Sequence, residues 1–323
     1  MLEIERQQTS QLLALLACFV LALLSIAFAL LFGSVESVDI GLILDLRLPR
    51  VLSAFSIGAL LATAGNLLQT YTRNPLAEPS VLGVSGGASV GALLAMIFGL
   101  SIWFGAWLGS VLLFGLLWYL TSAGKSSPSR LLLAGVMLAT ACGAIISITL
   151  LMVPDRVLPG VLHWMMGDLQ GAMDWRISAI VLMSSLFLLF LVWLKSGSIQ
   201  LLPLGWDKAA SLGVEVIRMR ILILLASSLA IAISVSIAGN IGFIGLVVPH
   251  AVRLLFPKTL AIHQRWIIPA CGLLGGTFLV IADLLSRTLL SPSEMPVGVV
   301  TAAIGVPTFL YLLSRSERER GVM

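Results

Sequence analysis

Residues 221–252, ILILLASSLAIAISVSIAGNIGFIGLVVPHAV, run without one acidic or basic side chain apart from a neutral histidine. A helix needs about 20 apolar residues to cross a hydrocarbon layer roughly 30 Å thick. This run is too long for one crossing and too short for two full ones. Gly239 and Asn240 stand where it divides, and they leave two unusually short halves. Short or Gly/Pro-interrupted segments of this kind mark the interface between repeats in membrane carriers.

The rest of the chain agrees. Hydrophobic residues make up 59% and charged residues 11% of the 323 positions, against about half apolar and a quarter charged in soluble domains. Charge-free intervals fall at residues 7–35, 51–72, 79–124, 131–154, 177–194, 221–252, 266–282 and 295–314. Splitting 79–124 near Leu100, and 221–252 near Gly239, gives ten helices. None of the runs alternates as barrel strands do. The expected fold is all-α: a polytopic integral membrane protein of about ten transmembrane helices, forming a single transmembrane domain over 1–323. The N-terminal run is too long for a removable signal and reads as a retained first helix. With both termini cytoplasmic, fourteen Lys and Arg residues lie inside and five outside, the asymmetry that the positive-inside rule requires. The net charge of +4 therefore reports topology, and no nucleic-acid partner is read from it.

Ala64-Gly65-Asn66 and Ala238-Gly239-Asn240 are each followed, nine residues after the Asn, by a proline, Pro75 and Pro249. The first lies inside helix 2 and the second ends helix 7, so a shift of five helices inverts one half against the other. The half-repeats cover about 50–154 and 221–314. Coincidence in a chain rich in Gly and Ala is the competing account. Residues 73–89, RNPLAEPSVLGVSGGAS, hold a second interruption. Irregular backbone at membrane depth survives only when buried in protein or lining a wet cavity, which makes Asn74-Pro75-Leu76 a candidate constriction; an ordinary helix-ending loop is the alternative. Gly83, Gly86 and Gly87 would let the following helix approach its neighbours closely.

Several chemistries are missing. Gly124-Lys125-Ser126 lacks the upstream glycine of a phosphate loop, since Tyr119 stands there,. No span carries an ionisable residue near its centre, where ion-coupled carriers keep one. His250 reads as a satisfied structural histidine, and no His, Cys or carboxylate cluster suggests a metal. Cys18, Cys142 and Cys271 fall in apolar runs and read as small hydrophobes. The segment of about 196–220 does not span. Within it Trp206 to Leu212 can make two helical turns stopped by Gly213, suited to a partner's groove or to the lipid surface. On the outer side Trp175 reads as an interface anchor, and the RLPR of 47–50 offers arginines to acids on a soluble partner.

Arg47-Leu48-Pro49-Arg50, Asn74-Pro75-Leu76-Ala77-Glu78-Pro79 with Leu82-Gly83-Val84-Ser85, Ser129-Arg130-Leu131-Leu132-Leu133-Ala134-Gly135, the Gly242 to His250 run, and Pro296-Val297-Gly298-Val299-Val300-Thr301 together resemble the FecCD-type permeases of ABC importers. These carry iron chelates, haem or cobalamin across the bacterial inner membrane. The length, Trp164-Met165-Met166-Gly167 and Asp174-Trp175-Arg176 are most similar to the cobalamin importer's permease subunit. Haem and ferric siderophores are the alternative cargoes, and an ion-coupled secondary transporter is the alternative class.

The resemblance implies a homodimer in the lipid of the inner membrane, two ATP-binding subunits and an exported or periplasmic substrate-binding protein. It implies no catalytic site and no cofactor in this chain, with ATP and Mg used by the partner ATPase. Asn74, Pro75 and Leu76, together with Ser127, Pro128 and Ser129, match the gate regions. Pro128 replaces an expected threonine and removes an amide donor. Arg47, Arg50 and Arg287 match binding-protein docking arginines. Leu204, Gly205, Trp206, Asp207, Lys208, Ala209, Ala210, Ser211, Leu212, Gly213 and Val214 match the ATPase-coupling segment. Asp168 stands where cobalamin-type chains tend to have glycine.

Overall fold

The computed structural model describes residues 2–33, 40–122, 128–256, 263–291 and 293–321. Ten helices dominate the described residues: α1 (Leu2–Leu31), α2 (Leu48–Thr72), α3 (Val84–Ile97), α4 (Ile102–Ser122), α5 (Pro128–Leu150), α6 (Trp175–Leu194), α7 (Val216–Ala238), α8 (Ile244–Leu255), α9 (Gln264–Thr288) and α10 (Val297–Gly321). Seven are long and apolar enough to span a bilayer; α3, α8 and the apolar part of α10 are shorter. Both expected divisions occur. Gly99 takes a left-handed φ of 67° between α3 and α4, and Gly239, also at 67°, ends α7. At 1.5 Å per residue the 14 residues of α3 and 12 of α8 reach only about 21 and 18 Å, so irregular backbone completes each crossing.

The core is built around α2. Of its membrane window 89% is buried, against 22% for α1 and 17% for α5, so α2 is the axis and the other two lie at the periphery. Small residues make this possible. A methyl group on Gly58 would land on the Gly275 carbonyl of α9, and one on Gly65 on the Gly245 carbonyl of α8. Helices α3 and α4 meet in the same way, Gly91 against Gly105 and Gly87 against Gly109. Gly83, Gly86 and Gly87 do bring α3 close to its neighbours. A Cβ on Gly86 would sit 2.8 Å from that of Cys142 in α5.

Helix order recurs, with α2 to α5 followed by α7 to α10, each series holding one short second member. Ala64-Gly65-Asn66 lies in mid-α2 while Ala238-Gly239-Asn240 straddles the end of α7. The matching element is different: α3 and α8 each start from a left-handed N-cap, Gly83 at φ 76° and Phe243 at φ 69°.

At Pro49, Pro249 and Pro269 a side chain from another helix takes the place of the missing backbone donor. Pro249 in α8 has no N–H to give the carbonyl four residues back. That carbonyl, Gly245 O, accepts from Gln69 Nε2 of α2 at 3.1 Å, and Leu246 O lies 3.3 Å from the same nitrogen. Pro269 in α9 likewise deprives Arg265 O, which accepts from the Trp193 indole of α6 at 3.1 Å. Ahead of α2 the turn Ile43–Arg47 is wound wide, with the Leu48 N–H bonded to Ile43 O. In that register Leu44 O would need an N–H from Pro49. Trp175 Nε1 supplies it at 3.0 Å. Trp175, 44% exposed, is thus a donor to a neighbouring helix as well as a residue suited to the interface.

Candidate functional site

The two interruptions meet. Arg73 ends α2 in the left-handed conformation, φ 52°, and Asn74 turns the chain: its Oδ1 accepts from the Leu76 N–H at 2.9 Å and its carbonyl from the Ala77 N–H at 3.1 Å. Ala77 is buried, while Pro75 and Leu76 project outward, Leu76 being 49% exposed. Glu78 then reaches the other break, where its Oε1 accepts from the Phe243 N–H at 2.7 Å. That bond holds the strained left-handed cap of α8. Pro79 packs against Gly245, where an added Cβ would lie 2.6 Å from Pro79 Cδ. The chain just after Asn74-Pro75-Leu76 is thus braced on the start of α8 through Glu78 and Pro79. Ser127 lies outside the described residues. Pro128 is the first residue of α5, a position where the missing amide costs no helical hydrogen bond.

Just above this end, a polar network ties three helices. Arg253 of α8 donates to Gln69 Oε1 at 2.7 Å and to Asn66 Oδ1 at 3.0 Å. Asn66 donates to Gln264 Oε1 at 2.7 Å, and Gln264 to Thr70 Oγ1 at 3.2 Å. Sequence reasoning counted Arg253 as a topology charge, used Asn66 only as a repeat landmark, and passed over Gln69 and Thr70. Their spacing of three and four puts them on one face of an otherwise apolar helix, which is the signal that was there to find. His250 is not a satisfied histidine: its Nε2 is buried with no hydrogen-bond partner among the described residues.

The short helix Trp206–Ser211 forms where it was expected, with Gly213 at φ 87° behind it. Ala209 is fully buried, and the Trp206 ring meets Tyr71 of α2 edge-on at 5.1 Å. Leu204, Asp207, Lys208, Ala210, Ser211 and Leu212 are exposed. This helix touches α2 three residues before Asn74. Arg220, behind it, donates to the Thr121 carbonyl that ends α4, at 3.0 Å.

At the opposite end, Arg47, Arg50 and Arg287 gather round a pocket of about 140 Å³ that Glu294 also lines. Sequence reading had Arg47 and Arg50 as isolated arginines on an outer face, with Arg287 added by the resemblance. Instead all three are buried and engaged within the chain. Arg50 binds Asp283 at 2.9 Å and Glu294 at 3.1 Å, Arg287 binds Asp283 at 3.0 Å, and Arg47 donates to Leu30 O at 2.9 Å. Asp283 is fully buried, so it needs both cations. Arg287 Nη2 is buried without a hydrogen-bond partner among the described residues. Next to this cluster, residues 164–168 dress the ends of α7 and α10. The Asp168 N–H donates to the Ala238 carbonyl at 2.9 Å, and Gly167, at φ 93°, accepts from the Val297 N–H at 2.9 Å.

Residues 9–315 match the FecCD transport family. The chain belongs to that family. It is 39% identical to the hemin transport system permease protein HmuU of Yersinia pestis over 288 residues, covering 86% of this chain and 84% of that one. It is 38% identical to the vitamin B12 import system permease protein BtuC of Vibrio vulnificus, covering 88% and 86%. A solved structure described as the inward-facing conformation of a transporter assigned to the metal-chelate ABC type is 29% identical with a TM-score of 0.85, covering 93% of this chain and 98% of that one. PsaBC of Streptococcus pneumoniae, 16% identical at a TM-score of 0.57 with 84% and 92% covered, shares the fold.

This FecCD chain is thus a multi-pass ABC importer permease, a transport component rather than an enzyme. The ion-coupled carrier reading falls with that assignment. Trp164-Met165-Met166-Gly167, quoted above for its cobalamin likeness, closes helix ends through backbone atoms. Asp168 adds its side chain to that backbone bond, its Oδ1 accepting from the Gln170 N–H at 2.9 Å.

Proposed function

We propose that two copies of this chain form the import pathway for a bulky metal chelate, with cobalamin the first candidate cargo and haem the second. One observation carries the mechanism: the exposed helix Trp206–Ser211 rests through Trp206 on Tyr71, at the end of the helix that bears Asn74-Pro75-Leu76. A separate ATPase subunit that grips Leu204, Lys208 and Leu212 moves α2 directly, and with it Leu76. Binding energy in the partner changes the gate because the two states present different contacts. ATP and Mg are consumed in that partner, and this chain needs no cofactor.

The second copy packs along α5 and α10. Helix α5 is the least buried span, and its exposed face carries Thr140, Gly143 and Ser147 at helical spacing, whereas the exposed residues of α1 beyond Ser10 are apolar. Small and hydroxyl residues favour helix contact or a wet lumen over lipid. The inverted halves, about 50–154 and 221–314, then flank the pathway. Both termini face the cytoplasm of a bacterium, the side favoured by the excess of Lys and Arg. An acidic side chain of a substrate-binding protein enters the pocket of Arg47, Arg50 and Arg287, where the buried Arg287 Nη2 has no acceptor among the described residues,.

The relatives named above do not separate the cargoes, since haem and cobalamin permeases are equally similar. Reconstitution of the permease with its ATPase in vesicles, with binding protein loaded in turn with cobalamin, haem or a ferric siderophore, decides the matter. ATP-dependent uptake of cobalamin alone supports the first candidate; uptake of another chelate replaces it. Transport with no ATPase present would overturn the mechanism.

A further inference from the structure

Between α6 and α7 the surface holds a groove of about 580 Å³. Phe187, Leu191 and Leu225 stand in its walls, and Lys195 and Arg218 line it where α6 ends and α7 begins. Along α7 the lining runs from Arg218 to Ile233, about 22 Å at 1.5 Å per residue. Half of a roughly 30 Å hydrocarbon layer is about 15 Å, so the groove spans the full depth of one leaflet with its cations at the headgroup level.

The charges are the telling feature. Lys195 is exposed and makes no ion pair among the described residues, while Arg218 is paired only sideways with Glu215 at 2.8 Å, both side chains being mostly exposed. Two cations against one carboxylate leave a positive charge at the mouth of an apolar trough. Basic pockets between transmembrane helices on the cytoplasmic side suit anionic headgroups. The other large groove, of about 350 Å³ between α3 and α4, is lined entirely by uncharged residues. It serves as the internal control.

We propose that the α6–α7 groove binds one anionic phospholipid, with an acyl chain between Phe187 and Leu225 and the phosphate at Lys195 and Arg218. The assignment does not depend on the cargo or on the partner ATPase. The test is native mass spectrometry of the full-length purified permease, titrated separately with dioleoyl phosphatidylglycerol and dioleoyl phosphatidylcholine. One phosphatidylglycerol per chain is expected to be retained in clear preference to phosphatidylcholine. The double variant Lys195→Gln, Arg218→Gln should weaken that retention about five- to thirtyfold, for two lost cation contacts. Leu225→Trp, which fills the groove, should lower it as well, and Leu112→Trp in the uncharged groove should not. Equal retention of the two lipids would overturn the proposal. So would full retention by either α6–α7 variant, an equal loss on Leu112→Trp, or displacement of the lipid by inorganic phosphate at matched concentration, which would indicate a simple anion site.

Discussion

Replacing Gln69 by leucine tests how α8 is held together. The change removes the Nε2 donor from Gly245 O, at 3.1 Å, and the Oε1 acceptor from Arg253, at 2.7 Å. A buried carbonyl left unpaired costs about 1–3 kcal/mol, and loss of a hydrogen bond to a charged group about 1.5–3 kcal/mol. The expected sum is roughly 2.5–6 kcal/mol. Pro249→Ala separates the two terms, because it restores the backbone N–H that Gly245 O lacks. In the Pro249→Ala background the leucine substitution should cost less by about 1–3 kcal/mol, leaving mainly the Arg253 term. Thermal unfolding of the four proteins in lipid nanodiscs, followed by intrinsic fluorescence, completes the cycle. Additive effects, within about 0.5 kcal/mol, would show that Gln69 does not answer the carbonyl opened by Pro249, and the account of α8 would be wrong.

Three further outcomes can be checked. Asp283→Asn leaves Arg50 and Arg287 facing each other without their shared anion, and should cost about 3–5 kcal/mol in the same unfolding assay. Leu212→Asp alters an exposed residue beside the short helix, so unfolding should stay within about 0.5 kcal/mol while binding-protein-stimulated ATP hydrolysis by the reconstituted complex falls at least tenfold; unchanged hydrolysis would remove the segment from coupling. Leu76→Cys should give a disulfide between two copies when oxidised in the closed state of the inner gate, and protection from oxidation when the gate is open.

The helices were legible because their signal is local. A charge-free run of fixed length, cut by Gly99 or Gly239, needs no knowledge of neighbours, and the short helix Trp206–Ser211 ends at Gly213 as the sequence indicates. What depends on distant partners was not legible. Arg50 and Arg287 look alike whether they await an acidic partner or already hold Asp283, more than two hundred positions from Arg50. The Ala-Gly-Asn pair pointed to two recurring halves but in a register that the left-handed caps Gly83 and Phe243 do not share. Similarly, nothing local to Pro249 reveals that its missing bond is replaced from α2. Only the polar face of Asn66, Gln69 and Thr70, out of place in an apolar helix, hinted at it.

The replacement of proline-opened bonds from outside also bears on the order in which the chain is made. A 12-residue helix with an unanswered carbonyl is a poor candidate to enter hydrocarbon alone, where no water can take the donor's place. Gln69 is synthesised long before Gly245, and Trp193 before Arg265. By the time α8 and α9 leave the ribosome, the helices carrying their missing donors are already in the membrane. Biogenesis in chain order thus lets α2 and α6 act as chaperones for α8 and α9, and a circular permutant that emits α8 ahead of α2 would meet the bilayer with its weakest helix unaided.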